Sequence, residues 1–276
     1  MKFILLRLVI ALLAVAGFVS FAVLSEPDGI PVLNYHQIND MDENMLTVSS
    51  EEFETQMAWL SENGYHAVTA TELIDALEGK GTLPERPVLI TFDDGYVDNY
   101  QCAFPILKKY NMKAIIFLIS EYVSLYPNYL TWEQLAEMQA SGIEFGSHTV
   151  DHNVLTDLSP NSINHELADS KRILENRLGR PVKFLAYPCG YTNEYIKKRV
   201  HTEGYRAAFT VNLGNVRPND DLYALNRVPI FGALPHTMFR FTGRLRCPRI
   251  AAWLENLQKD LIRTGHSGLA EMLPAL

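Results

Sequence analysis

The chain has 276 residues, 47% of them hydrophobic and 20% charged, enough for one large domain or two small ones around a sizeable core. That balance excludes a disordered chain, and three widely spaced cysteines, Cys102, Cys189 and Cys247, exclude a disulfide scaffold and a CxxC metal or redox motif. With 24 basic against 32 acidic residues the formal charge is -8, which argues against nucleic acid as a partner.

The first 25 residues read as a membrane segment. Met1 to Leu24 carries only Lys2 and Arg7, and the 17 residues from Leu8 to Leu24 hold no charge, the lower edge of a spanning helix. The N-terminal positive flank leaves Ser25 onward outside the cytoplasm. A signal anchor is favoured over a cleaved signal peptide. Neither Ala14-Val15-Ala16 nor Ser20-Phe21-Ala22 falls between the apolar core and a polar mature start. Removing Lys2 and Arg7 leaves 22 of the 24 basic residues against 32 acidic ones, so the exported part is acidic at -10. The expected location is extracytoplasmic, anchored in the membrane or secreted.

After the turn-rich linker Glu26-Pro27-Asp28-Gly29, strand-like and helix-like stretches alternate. Pro31 to Tyr35 reads as a strand ending at His36. Ser49-Ser50-Glu51-Glu52 opens a helix with Phe53, Met57 and Leu60 on one face, and Thr69 to Glu72 opens another after the strand Tyr65 to Val68. Pro87 to Phe92 is a continuous apolar run, the mark of a strand covered on both faces. A helix follows over Asp98 to Tyr110, then strand Ala114 to Ile119, helix Thr131 to Ala140, strand Ile143 to Gly146 and helix Pro160 to Leu178. Val182 to Tyr187, Asn193 to His201, Tyr205 to Val211 and Leu225 to Ile230 continue the alternation. About seven parallel βα units fit a closed or nearly closed barrel. Cys247-Pro248 starts a final helix with Ile250, Trp253, Leu254, Leu257 and Leu261 at helical spacing. The expected domains are 1–25 (anchor or signal peptide), 26–246 (barrel) and 247–276 (helical extension).

In parallel α/β architectures ligands bind beyond the carboxyl ends of the strands. Strand 87–92 ends in Asp93-Asp94-Gly95, strand 143–146 in Ser147-His148, strand 182–187 in Pro188-Cys189-Gly190, and strand 31–35 at His36. Adjacent Asp93 and Asp94 cannot point the same way from an extended backbone, so they suit two jobs, one holding a cation and one accepting a proton. Alone, the pair also reads as an ordinary acidic turn. Two imidazoles four apart, His148 and His152, share a face if the second begins a helical turn, and with one carboxylate they make a site that leaves coordination positions open. The Cys189 amide is suited to a developing oxyanion, and no Cys-His-Asn signature marks its thiol as a nucleophile.

Thr91-Phe92-Asp93-Asp94-Gly95-Tyr96, Ser147-His148-Thr149-Val150-Asp151-His152 and Ala186-Tyr187-Pro188-Cys189-Gly190 together resemble the first three motifs of the polysaccharide deacetylases (NodB homology, carbohydrate esterase family 4). The resemblance covers about Pro31 to Ile230, and is greatest to the exported branch that deacetylates poly-N-acetylglucosamine. It implies a distorted (β/α) barrel, often seven-stranded, that removes acetyl groups from an acetylated polysaccharide. It further implies that Asp94, His148 and His152 hold a divalent metal, zinc first, with cobalt, nickel, manganese and iron as alternatives. Asp93 is then the base that takes a proton from metal-bound water, with Tyr96, Tyr187, Pro188 and Gly190 lining the substrate site.

Two positions depart from the family pattern. The arginine that orients the base is replaced by Ala186, and the late histidine that serves as general acid is missing from Leu225 to Phe231. His36, His236 and Asp93 itself, which holds the proton after activating the water, are the candidate acids, and Arg227 either replaces the missing cation or makes a structural ion pair. Two other readings stay open: an amidase of a non-sugar amide or cyclic imide, and a membrane-tethered glycan-binding protein with little turnover.

Overall fold

The computed structural model describes residues 29–42, 44–232 and 237–266. The apolar segment 1–25 and His236 lie outside the described residues. Among those described, no helix is long and apolar enough to cross a membrane.

The strands are β1 (Val32–Tyr35), β2 (Gln37–Ile38), β3 (Thr47–Val48), β4 (His66–Val68), β5 (Pro87–Phe92), β6 (Ile115–Leu118), β7 (Glu144–Ser147), β8 (Phe184–Ala186), β9 (Ala207–Leu213) and β10 (Leu225–Pro229). The helices are α1 (Ser50–Glu62), α2 (Ala70–Leu77), α3 (Phe104–Lys109), α4 (Trp132–Ala140), α5 (Pro160–Asn164), α6 (Ser170–Leu178), α7 (Glu194–Thr202), α8 (Thr237–Arg246) and α9 (Pro248–Arg263). Seven parallel strands pair in the order β1-β5-β6-β7-β8-β9-β10, and β10 closes the ring on β1. This is the expected distorted (β/α) barrel. The short β4 pairs only with Pro87 to Leu89 of β5; because Leu89 pairs with both Val32 and Val68, β1 and β4 lie on opposite edges of that strand. Thr69 caps α2 immediately after β4, and its reciprocal bonds with Glu72 end the strand there.

Period-two alternation sorts each strand between two cores. Val32, Leu89, Ile115, Phe117, Phe184, Ala186, Phe209 and Leu225 form one cluster, inside the ring. Leu33, Tyr35, Ile90, Phe92, Ile116, Leu118 and Leu185 join the helices in the other. Two residues on from Val32, Leu89 and Leu225, the same alternation reaches Asn34, Thr91 and Arg227, and one more step along β5 reaches Asp93. All four are buried polar residues at the C-terminal end of the barrel.

Three features differ from the sequence reading. The stretches 98–110 and 160–178 are not single α-helices, because π-helical turns at Asn99–Ala103 and His165–Asp169 interrupt them. Helix α8 was not anticipated. Gly243 and Thr242 weaken its propensity, yet Phe241 and Leu245 are fully buried, Phe241 edge-on to Trp59 of α1 at 5.9 Å. Packing overrides propensity there. Finally, β9 carries an irregularity opposite Leu225 and Arg227, which leaves the Thr210 carbonyl to accept from Arg227 Nε at 2.7 Å.

Candidate active site and metal cradle

Asp93 and Asp94 diverge as the extended-chain argument requires. Asp93 ends the inward series of β5, its amide donating to Tyr35 O at 2.9 Å. Asp94 then adopts a left-handed φ of 72°, which swings its carboxylate toward the loop after β7. Gly95 follows at φ 80°, and a Cβ there would stand 2.7 Å from Leu118 Cδ2, so the turn needs glycine.

The two histidines meet without a helical turn. Residues 148–154 form a loop in which Thr149 and His152 are left-handed, at φ 70° and 61°. That folding brings the imidazole centroids to 4.7 Å. The helical-turn expectation is therefore corrected: the bend at Thr149, not an i,i+4 helix face, brings the rings together. Non-glycine residues in this region carry strain, which the surroundings must hold. Glu166, buried in the second π-helical turn, holds it by accepting from the Val150 amide at 2.8 Å, the Asp151 amide at 3.1 Å and Asn153 Nδ2 at 2.7 Å. Ser170 adds a bond to the Thr149 carbonyl at 3.0 Å.

Asp94 Oδ1 stands 3.4 Å from His148 Nε2 and 3.5 Å from His152 Nε2. Asp94, His148 and His152 are the cluster of metal-ligand type found among the described residues. His148 Nδ1 is engaged with the Ala186 carbonyl at 2.8 Å, which fixes the ring and turns Nε2 to the cradle. Asp94 Oδ1 is buried and has no hydrogen-bond partner. A buried carboxylate oxygen facing two imidazole nitrogens fits a divalent cation. Burial opposes the charged form of Asp94, but the His148 imidazole beside it outweighs burial and lowers its pKa. For His148, burial is outweighed by Asp93 and Asp94, which raise its pKa. His152 is lowered by burial and by His148.

Asp93 faces a different partner. Arg227, fully buried, grips it with two parallel bonds, Nη1 to Oδ1 at 2.8 Å and Nη2 to Oδ2 at 2.7 Å. Asn34 Nδ2 donates to Oδ2 at 3.0 Å. Burial would raise this carboxyl, but the charges of Arg227, His148 and His36 hold it far below the usual carboxylate range. Three of its roughly four acceptor directions are used, leaving one on Oδ1. The two alternatives for Arg227 thus merge into one, an ion pair whose partner is Asp93. Neither Asn34 nor Glu166 stood out in sequence; Asn34 could have been found by stepping two residues from Val32, whereas nothing local marks Glu166.

The other sequence-picked residues divide. His36 Nε2 lies 4.0 Å from Asp93 Oδ2, its Nδ1 is buried without a partner, and burial lowers its pKa. Cys189 sits at φ 56° in the turn after β8. The two bonds of that turn, Gly190 N to Tyr187 O and Tyr191 N to Pro188 O, do not use the Cys189 amide. Gly190 is left-handed, and a Cβ would meet Val211 N at 2.7 Å. Tyr96 is partly exposed beside Asp94, and burial together with Asp94 and Tyr129 raises its hydroxyl pKa. Tyr187 is a correction. It is fully buried with its hydroxyl on Tyr223 O at 2.9 Å, and Pro188 is buried too, so the Tyr187 ring does not line the rim.

A family profile described as polysaccharide deacetylase matches residues 80–208. The chain is 40% identical over 214 residues to YxkH of Bacillus subtilis, whose name assigns it to the polysaccharide deacetylases, covering 78% of this chain and 76% of that protein. It is 30% identical over 230 residues to the poly-β-1,6-N-acetyl-D-glucosamine N-deacetylase of Staphylococcus epidermidis, covering 74% of this chain and 79% of that one. Among solved structures, the Streptococcus pyogenes deacetylase PplD in complex with acetate superposes with a TM-score of 0.72 at 31% identity, covering 78% of this chain and 98% of that one. IcaB from Ammonifex degensii gives 0.70 at 29% identity, with 80% and 99% covered.

Proposed function

The chain belongs to the polysaccharide deacetylase family and is a deacetylase hydrolase, and from that premise we propose that it removes N-acetyl groups from an extracytoplasmic poly-N-acetylglucosamine or related glycan. The observation that carries this reading is the partnerless, buried Asp94 Oδ1 between His148 and His152. A divalent ion held by those three residues, zinc first for its imidazole preference, supplies Lewis acidity toward the attacking water and the acetyl carbonyl. Asp93, locked in its ionised form by Arg227, accepts a proton from the attacking water through its free Oδ1 direction. The Cys189 amide donates to the carbonyl oxygen as negative charge develops there. His36, whose Nε2 stands 4.0 Å from Asp93 Oδ2, passes the proton that Asp93 has accepted to the glucosamine nitrogen as the C–N bond breaks, because an amine anion is too poor a leaving group at neutral pH. Acetate and a free amine on the sugar are the products.

The test is acetate release from N-acetylglucosamine oligomers by the exported part, stripped with chelator and reloaded with single metals. Metal-restored release supports the reading. Oligomer binding without any release would make the chain a glycan-binding protein, and ring opening of a cyclic imide with no acetate release from the oligomers would make it a small-molecule amidase. The charge-free run Leu8 to Leu24 behind Lys2 and Arg7 supports membrane tethering of the domain outside the cytoplasm. Recovery of a soluble form starting near Ser25 would show a cleaved signal instead.

A further inference from the structure

The loop between β6 and α4 gathers three tyrosines against Tyr96 of the loop after β5. Tyr96 stacks on Tyr129 with ring centroids 5.0 Å apart, and Tyr122 stands edge-on to Tyr129 at 4.9 Å. Tyr126 stands edge-on to Tyr122 at 5.0 Å and 6.1 Å from Tyr129. Tyr96, Tyr122 and Tyr129 are half-exposed; Tyr126 is 46% exposed, next to Leu125 at 60%. Four rings thus pack on one another at the surface, three partly buried and Tyr126 exposed.

This wall is continuous with the metal cradle. Val97 and Leu130 amides cross-bond the two loops, to Asn128 O and Gly95 O, both at 2.9 Å. On its other side, Ser120 N bonds Thr149 O at 3.0 Å and Glu121 N bonds Val150 O at 3.3 Å, within the loop that carries the histidines. The pairing of β6 with β7 sets the two loops side by side.

We propose that the tyrosine wall is a subsite for a hexopyranose residue of the glycan, the one adjoining the sugar that loses its acetyl group. A pyranose has an apolar C–H face and a rim of hydroxyl and amide groups, and tyrosine offers the matching pair, a rigid ring with a polar tip. The inference rests on the glycan reading above. The wall supplies affinity for chain length, while the cradle performs the chemistry.

The experiment measures binding of the monomer and of a pentamer of N-acetylglucosamine to the zinc-loaded Asp93→Asn protein, alone and with Tyr126→Ala, Tyr126→Phe or Trp253→Ala added. Acetate release is followed in parallel with Asp93 intact. Tyr126→Ala should weaken pentamer binding about tenfold, equivalent to ~1.4 kcal/mol, and leave monomer binding unchanged. Tyr126→Phe should stay near the parent, because the ring remains. Trp253→Ala removes an aromatic 62% exposed on α9, not one of the four rings of the wall, and should change neither. Unchanged pentamer binding in Tyr126→Ala, equal losses for monomer and pentamer, or no pentamer binding at all would overturn the subsite. Acetate release separates the two readings: release with a KM indifferent to Tyr126→Ala removes the subsite alone. Tyr126-dependent binding with no release removes the catalytic reading alone.

Discussion

Arg227 reaches across 134 positions of sequence to hold both oxygens of Asp93, and neither side chain is more than 2% exposed. Two further donors of the same guanidinium are tied to Thr210 O at 2.7 Å and Thr91 Oγ1 at 3.1 Å, and Phe117 lies against its face with the centroid 5.8 Å away. A planar fork used at so many points cannot be replaced by a point charge.

Arg227→Met should therefore leave a buried carboxylate without its partner and cost roughly 3–5 kcal/mol of stability, read from urea unfolding. Arg227→Lys should be milder in stability but still slow acetate release, with metal content unchanged. Because Arg227 holds the Asp93 pKa down, the pair's contribution is fully present above the unfolded carboxylate pKa of about 3.9 and fades as pH falls below it. The stability gap between parent and Arg227→Met should narrow in that acid range. A constant gap down to strong acid would mean that the pair is not its source.

Loss of a metal ligand should abolish tight binding rather than weaken it. Asp94→Ala, His148→Ala and His152→Ala each remove one of the three proposed ligands, and equilibrium dialysis followed by metal analysis reads the result. Stoichiometric metal in the His148→Ala/His152→Ala double variant would sink the assignment.

Asp93→Asn keeps the shape of the side chain and removes the proton acceptor. Acetate release should fall by about two or more orders of magnitude, the scale of general-base removal, while metal content stays near that of the parent. Parent-like activity would show that Asp93 has another role.

For the proton delivered to the leaving nitrogen, His36 stands 4.0 Å from Asp93, at the strand-end rim. His36→Ala should impair turnover more than His236→Ala while sparing metal binding. A larger loss at His236 reverses the assignment, and two near-normal rates leave Asp93 as the sole proton shuttle.

Glu166 offers a test of how the histidine loop is held. Glu166→Ala removes all three bonds to Val150, Asp151 and Asn153, so metal affinity should drop roughly 10–100-fold, as for other groups that orient ligands from behind. Competition with a chelator on the metal-free protein measures it. Unchanged affinity would show that the loop keeps its shape without the clamp.

Much of this was legible in the chain because barrels of this kind are written in local periodicities. Pro87 to Phe92 reads as a doubly covered strand and is one, and the capping pairs Thr69/Glu72 and Thr131/Gln134 open α2 and α4 as read. The strand-end rule brings Asp93, Asp94, His36, His148 and Cys189 to one rim without any knowledge of contacts, since in a parallel barrel all carboxyl ends face the same way. What could not be read depends on elements distant in sequence. The partner of Asp93 came from β10, the clamp on the histidine loop from a π-helical turn, and the bend at Thr149 from bonds to Glu166 and Ser170. The fate of Tyr187 followed from its alternation into the outer core. Local sequence determines which residues arrive at the rim, because strand direction and the period of two are properties of neighbours. Only the closed ring decides which of them are desolvated together, and that determines which carboxylate is gripped by arginine and which is left open to a metal.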